Sequence, residues 1–171
     1  MSTKKQAPIV IREAVVSDLE AVLRLDQALI AFDAHFDGTL DPNWSYTDDG
    51  MRFFRERITG EEGAAFVAER SGEIVGYLAG AAVEAETYRT VRRVGELECM
   101  FVGESVRRLG VGAKLARRFL EWCRERGLRR VMVVASAGNR GAVRFYRRMG
   151  FADHDLVLEA DLGNGAEGGA A

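Results

Sequence analysis

The run RRLGVG, residues 107–112, combines two arginines with two glycines where an apolar stretch ends and an amphipathic pattern begins. The first turn of a helix leaves backbone N–H groups without intrahelical partners, and the helix dipole adds partial positive charge there. Glycine lets a ligand approach the backbone closely. The run therefore favours a phosphate-binding loop, and a plain helix start with two solvated arginines is the alternative.

Two glutamates upstream and one tyrosine downstream could move protons. Glu96 and Glu98 alternate with Leu97 and Cys99, and Tyr146 lies in an amphipathic run. A protonated nucleophile must lose a proton before it can attack, and the cost depends on its basicity. An alkyl amine with a pKa of about 10.4, for example, is neutral in only about one molecule in 2,500 at pH 7, a deprotonation cost of about 4.6 kcal/mol. A carboxylate with a raised pKa can accept that proton through water. Either glutamate alone could also be a solvated strand residue.

The elements that position these residues follow from the spacing of apolar side chains. Short apolar or alternating runs predict strands at residues 9–12, 64–69, 74–83, 91–102, 130–135 and 155–162. Intervals of three and four predict helices at residues 17–32, 48–58, 113–126 and 139–149, the first with a Ser17-x-x-Glu20 capping box. Residues 33–46 are rich in turn-forming and aromatic residues and are interpreted as a loop over a pocket. The order β-α-α-β-β-β-α-β-α-β indicates an α/β (α+β) domain.

Three segments occur in an order that is informative when they are taken together. They are ELECMFV (96–102), RRLGVG (107–112) and NRGAVRFYRRMGF (139–151). Together they resemble the GNAT superfamily of acyl-CoA-dependent N-acyltransferases, whose pattern is Arg/Gln-x-x-Gly-x-Gly/Ala after a strand, then Asn, Ala and Phe-Tyr before Gly-Phe. The match covers the second half of the chain, and residues 1–90 match only in element order. The resemblance implies a single GNAT-like domain at residues 8–162. Its sheet would be mixed, mostly antiparallel and twisted, flanked by helices and splayed at a parallel pair, residues 96–102 and 130–135, where acyl-CoA enters.

The resemblance also implies a role for each site residue. The strand end would hydrogen-bond the pantetheine arm like an added strand, with Asn139 as a further contact, and Tyr146 would face the thioester sulfur. Glu98, ahead of Glu96, would be the general base. The residues implied to bind the donor are Met100, Phe101, Val102, Arg107, Arg108, Leu109, Gly110, Val111, Gly112, Ala113, Asn139 and Tyr146.

The leaving thiolate needs less help than the amine. A thiol pKa of about 8.5 lies below the tyrosine value of about 10, so full proton transfer from Tyr146 would be uphill by about 2 kcal/mol. Tyr146 is therefore expected chiefly to stabilise the developing thiolate by hydrogen bonding, and to act as a true acid only if the site shifts its pKa.

The predicted function is acetyl transfer from acetyl-CoA to a primary amine by direct attack in a ternary complex. The alternative is a non-catalytic acyl-CoA-binding or regulatory module on the same fold. The acceptor stays open between small molecules and a peptide or protein. Acidic and aromatic residues in the 33–46 loop would suit a cationic amine, namely Asp33, His35, Asp37, Asp41, Trp44 and Tyr46.

Composition narrows the remaining function classes. The 171 residues are 47% hydrophobic and 29% charged, with a formal charge of −2, as expected of one globular domain and not of a generic nucleic-acid binder. Cys99 and Cys123, like His35 and His154, are too isolated for a disulfide framework or a metal site. The sequence carries no recognisable signal peptide or membrane span, so a cytoplasmic protein without membrane contact is predicted.

The ends of the chain bear on assembly. Residues 1–7 are predicted to be a disordered lead-in and residues 163–171 a flexible tail. The short stretch between Phe151 and residue 162 leaves room for one strand where the family commonly has two. A homodimer partner could therefore cover the sheet edge.

Overall fold

The computed structural model describes residues 7–162, so the predicted tail and all of the predicted lead-in except Ala7 lie outside the described residues. The strands are β1 (Val10–Glu13), β2 (Gly63–Arg70), β3 (Glu73–Glu84), β4 (Arg93–Val102) and β5 (Val131–Val133). The helices are α1 (Leu19–Asp33), α2 (Asp48–Thr59), α3 (Val111–Glu125) and α4 (Arg140–Arg148). Within residues 7–162, no helix has the length and apolar character needed to cross a membrane.

The five strands form one sheet in the order β1-β2-β3-β4-β5. The first three pairings are antiparallel and the β4–β5 pairing is parallel. The parallel pairing runs from Gly95 opposite Val131 to Leu97 opposite Val133 and stops there. Residues 98–102 of β4 are therefore paired on the β3 side alone, which confirms the predicted splay.

A β-bulge in β4 changes which way its side chains point. Leu97 lies opposite Gly80 and Cys99 opposite Ala79, so Glu98 is an extra residue on its strand. Leu97 packs in the core on the α3 side, whereas Cys99 packs on the α1 and α2 side. The predicted simple alternation is therefore wrong beyond Leu97, and the bulge directs both Glu98 and Cys99 toward the cavity beside α1.

Two apolar cores lie on the opposite faces of the sheet. One places Phe66, Leu78 and Leu97 against α3, and the other places Val67 and Tyr77 against α1 and α2. Gly80 permits the close approach of α3. A Cβ atom there would lie 2.7 Å from the Phe119 ring and 2.5 Å from the Glu96 carbonyl oxygen. This packing fixes the start of α3 relative to β4.

Two further sequence-based predictions are wrong. Residues 155–162 form no strand, and Leu156, Val157 and Leu158 are 75–83% exposed. An alternating pattern makes a strand only where a neighbour offers backbone partners, and β5 is just three residues long. The N-cap residue of α1 is Asp18, which makes no side-chain capping hydrogen bond, and the predicted Ser17 capping box does not form because Ser17 lies in a preceding 3-10 turn.

Candidate active site

The loop between β4 and α3 holds two residues in the left-handed conformation. Arg108 has φ of +62° and Gly110 has φ of +76°. The second position suits glycine, whereas an L-residue such as Arg108 is strained there by roughly 1–2 kcal/mol. Strained loops of this kind cluster at functional sites, and left-handed residues in a turn direct neighbouring backbone N–H groups into one concavity that binds anions.

The start of α3 is open to a ligand. Gly110 is its N-cap, and no side chain caps the helix. The side chain of Val111 is buried in the core, which anchors the first turn, while the Cβ position of Gly112 lies 3.6 Å from the Phe145 ring of α4. Uncapped N–H groups at a helix N-terminus attract phosphate. The structure thus brings the predicted residues 107–113 together at the uncapped start of α3, and we call this segment the cradle.

The end of β4 borders the cradle. Beyond Leu97 its second edge has no strand partner within residues 7–162. The Val102 carbonyl oxygen already accepts a hydrogen bond from Arg107 Nε at 3.0 Å. The predicted segment, residues 100–102, therefore lies on a strand edge that is open to an added strand.

Asn139 has a structural task of its own. It is the N-cap of α4, where its Oδ1 accepts a hydrogen bond from the Ala142 N–H at 3.0 Å. Its amide N–H₂ donates a hydrogen bond to the Asp33 carboxylate, which only partly offsets the rise that burial causes in the pKa of Asp33. One amide N–H of Asn139 is left to contact a ligand in the splay.

Tyr146 lies on the helix α4 and packs between two other aromatic rings. Its ring packs edge-on against Phe145 and Phe151, with centroids 5.2 and 5.6 Å away. Burial, followed by the nearby Cys99 and Asp33 groups, raises the pKa of Tyr146 well above its ordinary value. The phenol is therefore protonated near neutral pH and can donate a hydrogen bond.

The two predicted base candidates have different surroundings. Both carboxylate oxygens of Glu98 accept hydrogen bonds from Arg57, at 2.6 and 2.5 Å. Arg57 also lies over the Phe53 ring at 4.1 Å, which holds the pair in place. Glu96 has no ion-pair partner within residues 7–162, and burial, reinforced by the Glu98 charge, raises its pKa. Within residues 7–162, Glu98 is therefore held by an ion pair and Glu96 is not.

A cavity of about 400 Å³ lies between α1, the loop before α2, and β4. It is lined by Asp26, Leu29, Ile30, Asp33, Thr39, Leu40, Asp41, Trp44, Glu98 and Cys99. Three of the predicted pocket residues, Asp33, Asp41 and Trp44, therefore line it, whereas His35, Asp37 and Tyr46 lie outside. In the part of the chain that the structure describes, no cluster of three metal-ligating side chains occurs.

Asp26 is the cavity residue that sequence reasoning missed. It is only 2% exposed and accepts hydrogen bonds from Ser45 Oγ at 2.7 Å and from the Tyr77 hydroxyl at 2.5 Å. Both donors are uncharged, so burial raises the pKa of Asp26. An acidic residue on the apolar face of α1, beside Leu25, was the signal that could have found it.

The chain matches known proteins along most of its length. A family model for the acetyltransferase (GNAT) family matches residues 30–151. An uncharacterized N-acetyltransferase of Methanocaldococcus jannaschii is 30% identical over 61% of this chain and 46% of its own. Another, from Archaeoglobus fulgidus, is 28% identical over 92% of this chain and 99% of its own.

Two further matches concern proteins with named activities. A mycothiol acetyltransferase of Amycolatopsis mediterranei is 28% identical over 83% of this chain and 45% of its own. This chain therefore spans about half the length of that protein and of the Methanocaldococcus jannaschii relative. Among solved structures, the aminoglycoside N-acetyltransferase AAC(6')-Iy in complex with CoA superposes with a TM-score of 0.75 at 20% identity, covering 94% of this chain and 98% of that one. The last similarity shows the fold.

Proposed function

Because the chain belongs to the acetyltransferase (GNAT) family, we propose that it transfers an acetyl group from acetyl-CoA to a primary amine. One observation carries the proposal: β4 has an unpaired edge leading to the uncapped start of α3, and the half-buried Tyr146 lies close to Cys99 and Asp33, which both line the cavity. The amine would attack the thioester directly in a ternary complex.

The donor would be held by backbone groups. The pyrophosphate of acetyl-CoA would bind the N–H groups around Gly110, where the helix dipole and two left-handed residues favour an anion. The pantetheine arm would pair with the backbone at Met100 and Phe101, as an added strand does. The remaining amide N–H of Asn139 would close the other side of the splay.

Tyr146 would act on the leaving group. Attack forms the amide N–C bond and breaks the thioester C–S bond, so negative charge develops on sulfur. A protonated, partly desolvated phenol is suited to stabilise that charge by a hydrogen bond. Because its pKa is raised, Tyr146 would donate this hydrogen bond without being deprotonated in the resting enzyme.

We place the proton acceptor at Glu96, acting through water. The ammonium would pass one proton through water to Glu96 before attack. The second proton, lost from the nitrogen as the amide forms, would go through water to the released CoA thiolate. Glu96 is free of an ion pair within residues 7–162 and has a raised pKa, both of which suit a base. Glu98, placed first by the sequence pattern, would instead shape the cavity wall together with Arg57.

The test is release of thiol from acetyl-CoA with a panel of amines. Release above the hydrolysis background, with an acetylated amine as product, supports the proposal. A rise in melting temperature with CoA but no turnover by any amine would favour the alternative, an acyl-CoA-binding or regulatory module. Neither effect would indicate a protein whose role is interaction alone.

Assembly and location stay predictions. We propose a homodimer because the second edge of β5 is unpaired within residues 7–162 and the extended residues 156–158 expose apolar side chains. One copy could add this segment to the sheet of the other, which would bury both. A cytoplasmic protein that binds neither nucleic acid nor membranes is also expected.

A further inference from the structure

The cavity holds three carboxylates that lack a positively charged partner. Asp26, Asp33 and Asp41 line it, and none of them forms an ion pair with a lysine, arginine or histidine of residues 7–162. The fourth lining carboxylate, Glu98, is neutralised by Arg57 at 2.5 Å. The free charges are therefore concentrated on the α1 and loop side of the cavity, opposite β4.

Two of these carboxylates, when charged, lower the stability of the ligand-free protein. Burial raises the pKa of Asp26, and for Asp33 burial comes first and the charge of Asp26 adds to it. The hydrogen bonds that Asp26 receives come from neutral hydroxyl groups. Buried charges are normally paired, because desolvation without a counter-charge is expensive. A cation in the cavity would supply the missing partner.

The layout of the cavity suggests the shape of that cation. Asp26 and Asp33 are seven residues apart on α1, which places them on one helix face about 10 Å apart along its axis. Between them the cavity wall is made by Leu29 and Ile30, and Trp44 adds an aromatic surface. Charged groups separated by apolar wall match an aliphatic chain with a charge at each end.

The size and position of the cavity limit the ligand further. A volume of about 400 Å³ accommodates roughly a dozen groups the size of a water molecule, at about 30 Å³ each. Asp33 and Cys99 both act electrostatically on Tyr146, so one end of the cavity lies beside the proposed thioester position. A ligand of this size can thus reach the donor while its other end contacts a carboxylate.

We propose that the acceptor is a small aliphatic amine with a second cationic amino group. One amino group would react beside Tyr146, at the Asp33 end of the cavity. The other would be held by Asp26 and by Asp41, whose loop is hydrogen-bonded to Asp26 and Gln27 of α1. This inference rests on the proposed acetyl transfer and adds the class of acceptor.

The test compares three amines of matched chain length: 1,4-diaminobutane, 1-aminobutane and 4-aminobutanoate. Their distal ends carry a positive charge, no charge and a negative charge. We expect kcat/KM for thiol release to be at least about 10-fold higher for the diamine than for the monoamine, and lowest for the amino acid. Equal kcat/KM for diamine and monoamine would overturn the inference and leave acetyl transfer standing. If neither these three amines nor any other amine supports thiol release, the proposed function itself is contradicted.

Variants assign the effect to the cavity. Asp41→Asn should lower the ratio of diamine to monoamine kcat/KM by about 5- to 10-fold. Asp33→Asn, at the end of the cavity beside Tyr146, should instead lower kcat/KM for both amines by a similar factor. The matched control is Asp37→Asn, in the same loop, exposed and outside the cavity. If Asp41→Asn had a merely structural effect, it would lower kcat/KM for both amines alike and leave the ratio unchanged, which would contradict the inference. An equal loss of the ratio in the Asp37→Asn control would contradict it too.

Discussion

Replacing Tyr146 with phenylalanine removes the hydroxyl group that we propose to stabilise the leaving thiolate. The ring stays packed between Phe145 and Phe151, and no hydrogen bond from the hydroxyl to another residue is seen within residues 7–162. The change therefore breaks no internal contact, and the melting temperature should shift by less than about 2 °C, because about 1 kcal/mol corresponds to about 2–4 °C at this size.

The catalytic effect should be much larger than the effect on stability. Loss of a single preorganised donor to a developing anion costs about 2.7–4 kcal/mol, or about 10²–10³ in kcat. The dissociation constant for acetyl-CoA should change by less than about 3-fold, because the ground-state thioester sulfur is a weak hydrogen-bond acceptor.

The assay is steady-state thiol release at saturating acetyl-CoA, together with calorimetric titration of CoA. The matched control is Tyr88→Phe, a tyrosine that is 77% exposed and far from the cavity lining. The account expects the control to keep full activity. A Tyr146→Phe enzyme with kcat within about 3-fold of the wild type would refute the assigned role, as would a loss explained entirely by weaker CoA binding.

Four other changes test separate features. Gly110→Ala forces a side chain into φ of +76° and should cost roughly 1–2 kcal/mol, seen as a lower melting temperature and weaker CoA binding. Arg57→Met leaves the Glu98 carboxylate, whose side chain is 16% exposed, without its counter-charge. The free energy of unfolding in urea should fall by about 2–3 kcal/mol, and adding Glu98→Gln should restore most of it. Burial raises the pKa of Asp26 in the folded protein above its value of about 3.9 in the unfolded chain. The contribution of Asp26 to folding is therefore complete below about pH 3.9 and is lost as pH rises through the folded-state pKa. The stability of wild type relative to Asp26→Asn should therefore fall as pH rises across that window. Sedimentation should give a dimer, and Leu158→Lys, which places charge on the exposed segment, should give a monomer.

Sequence patterning located most of the fold because each element has a strong local signal. Apolar alternation located β2 and β3, helical spacing located α1 to α4, and glycine at residue 110 located the start of α3. The splay also followed, because the resemblance tied it to the strand before the cradle, where the pairing of β4 with β5 does stop at Leu97.

The details that matter for proton transfer depended on contacts distant in sequence. The bulge at Glu98 arises from the pairing of β4 with β3, and no local pattern marks it. The Arg57 partner lies 41 residues away from Glu98, so spacing along β4 could not reveal that the preferred base was already engaged. Asp26 was hidden for the same reason, because its donors come from the 3-10 turn at Trp44–Tyr46 and from β3.

The most direct test of acetyl transfer in this cavity is one kinetic experiment with product analysis. Purified protein is incubated with acetyl-CoA and 1,4-diaminobutane, and thiol release is followed while mass spectrometry identifies the amine product. The account predicts N-acetyl-1,4-diaminobutane formed in equal amount to CoA, at a rate at least about 100-fold lower in the Tyr146→Phe variant. Tight binding of acetyl-CoA with no acetylated product from this or any other amine would contradict it.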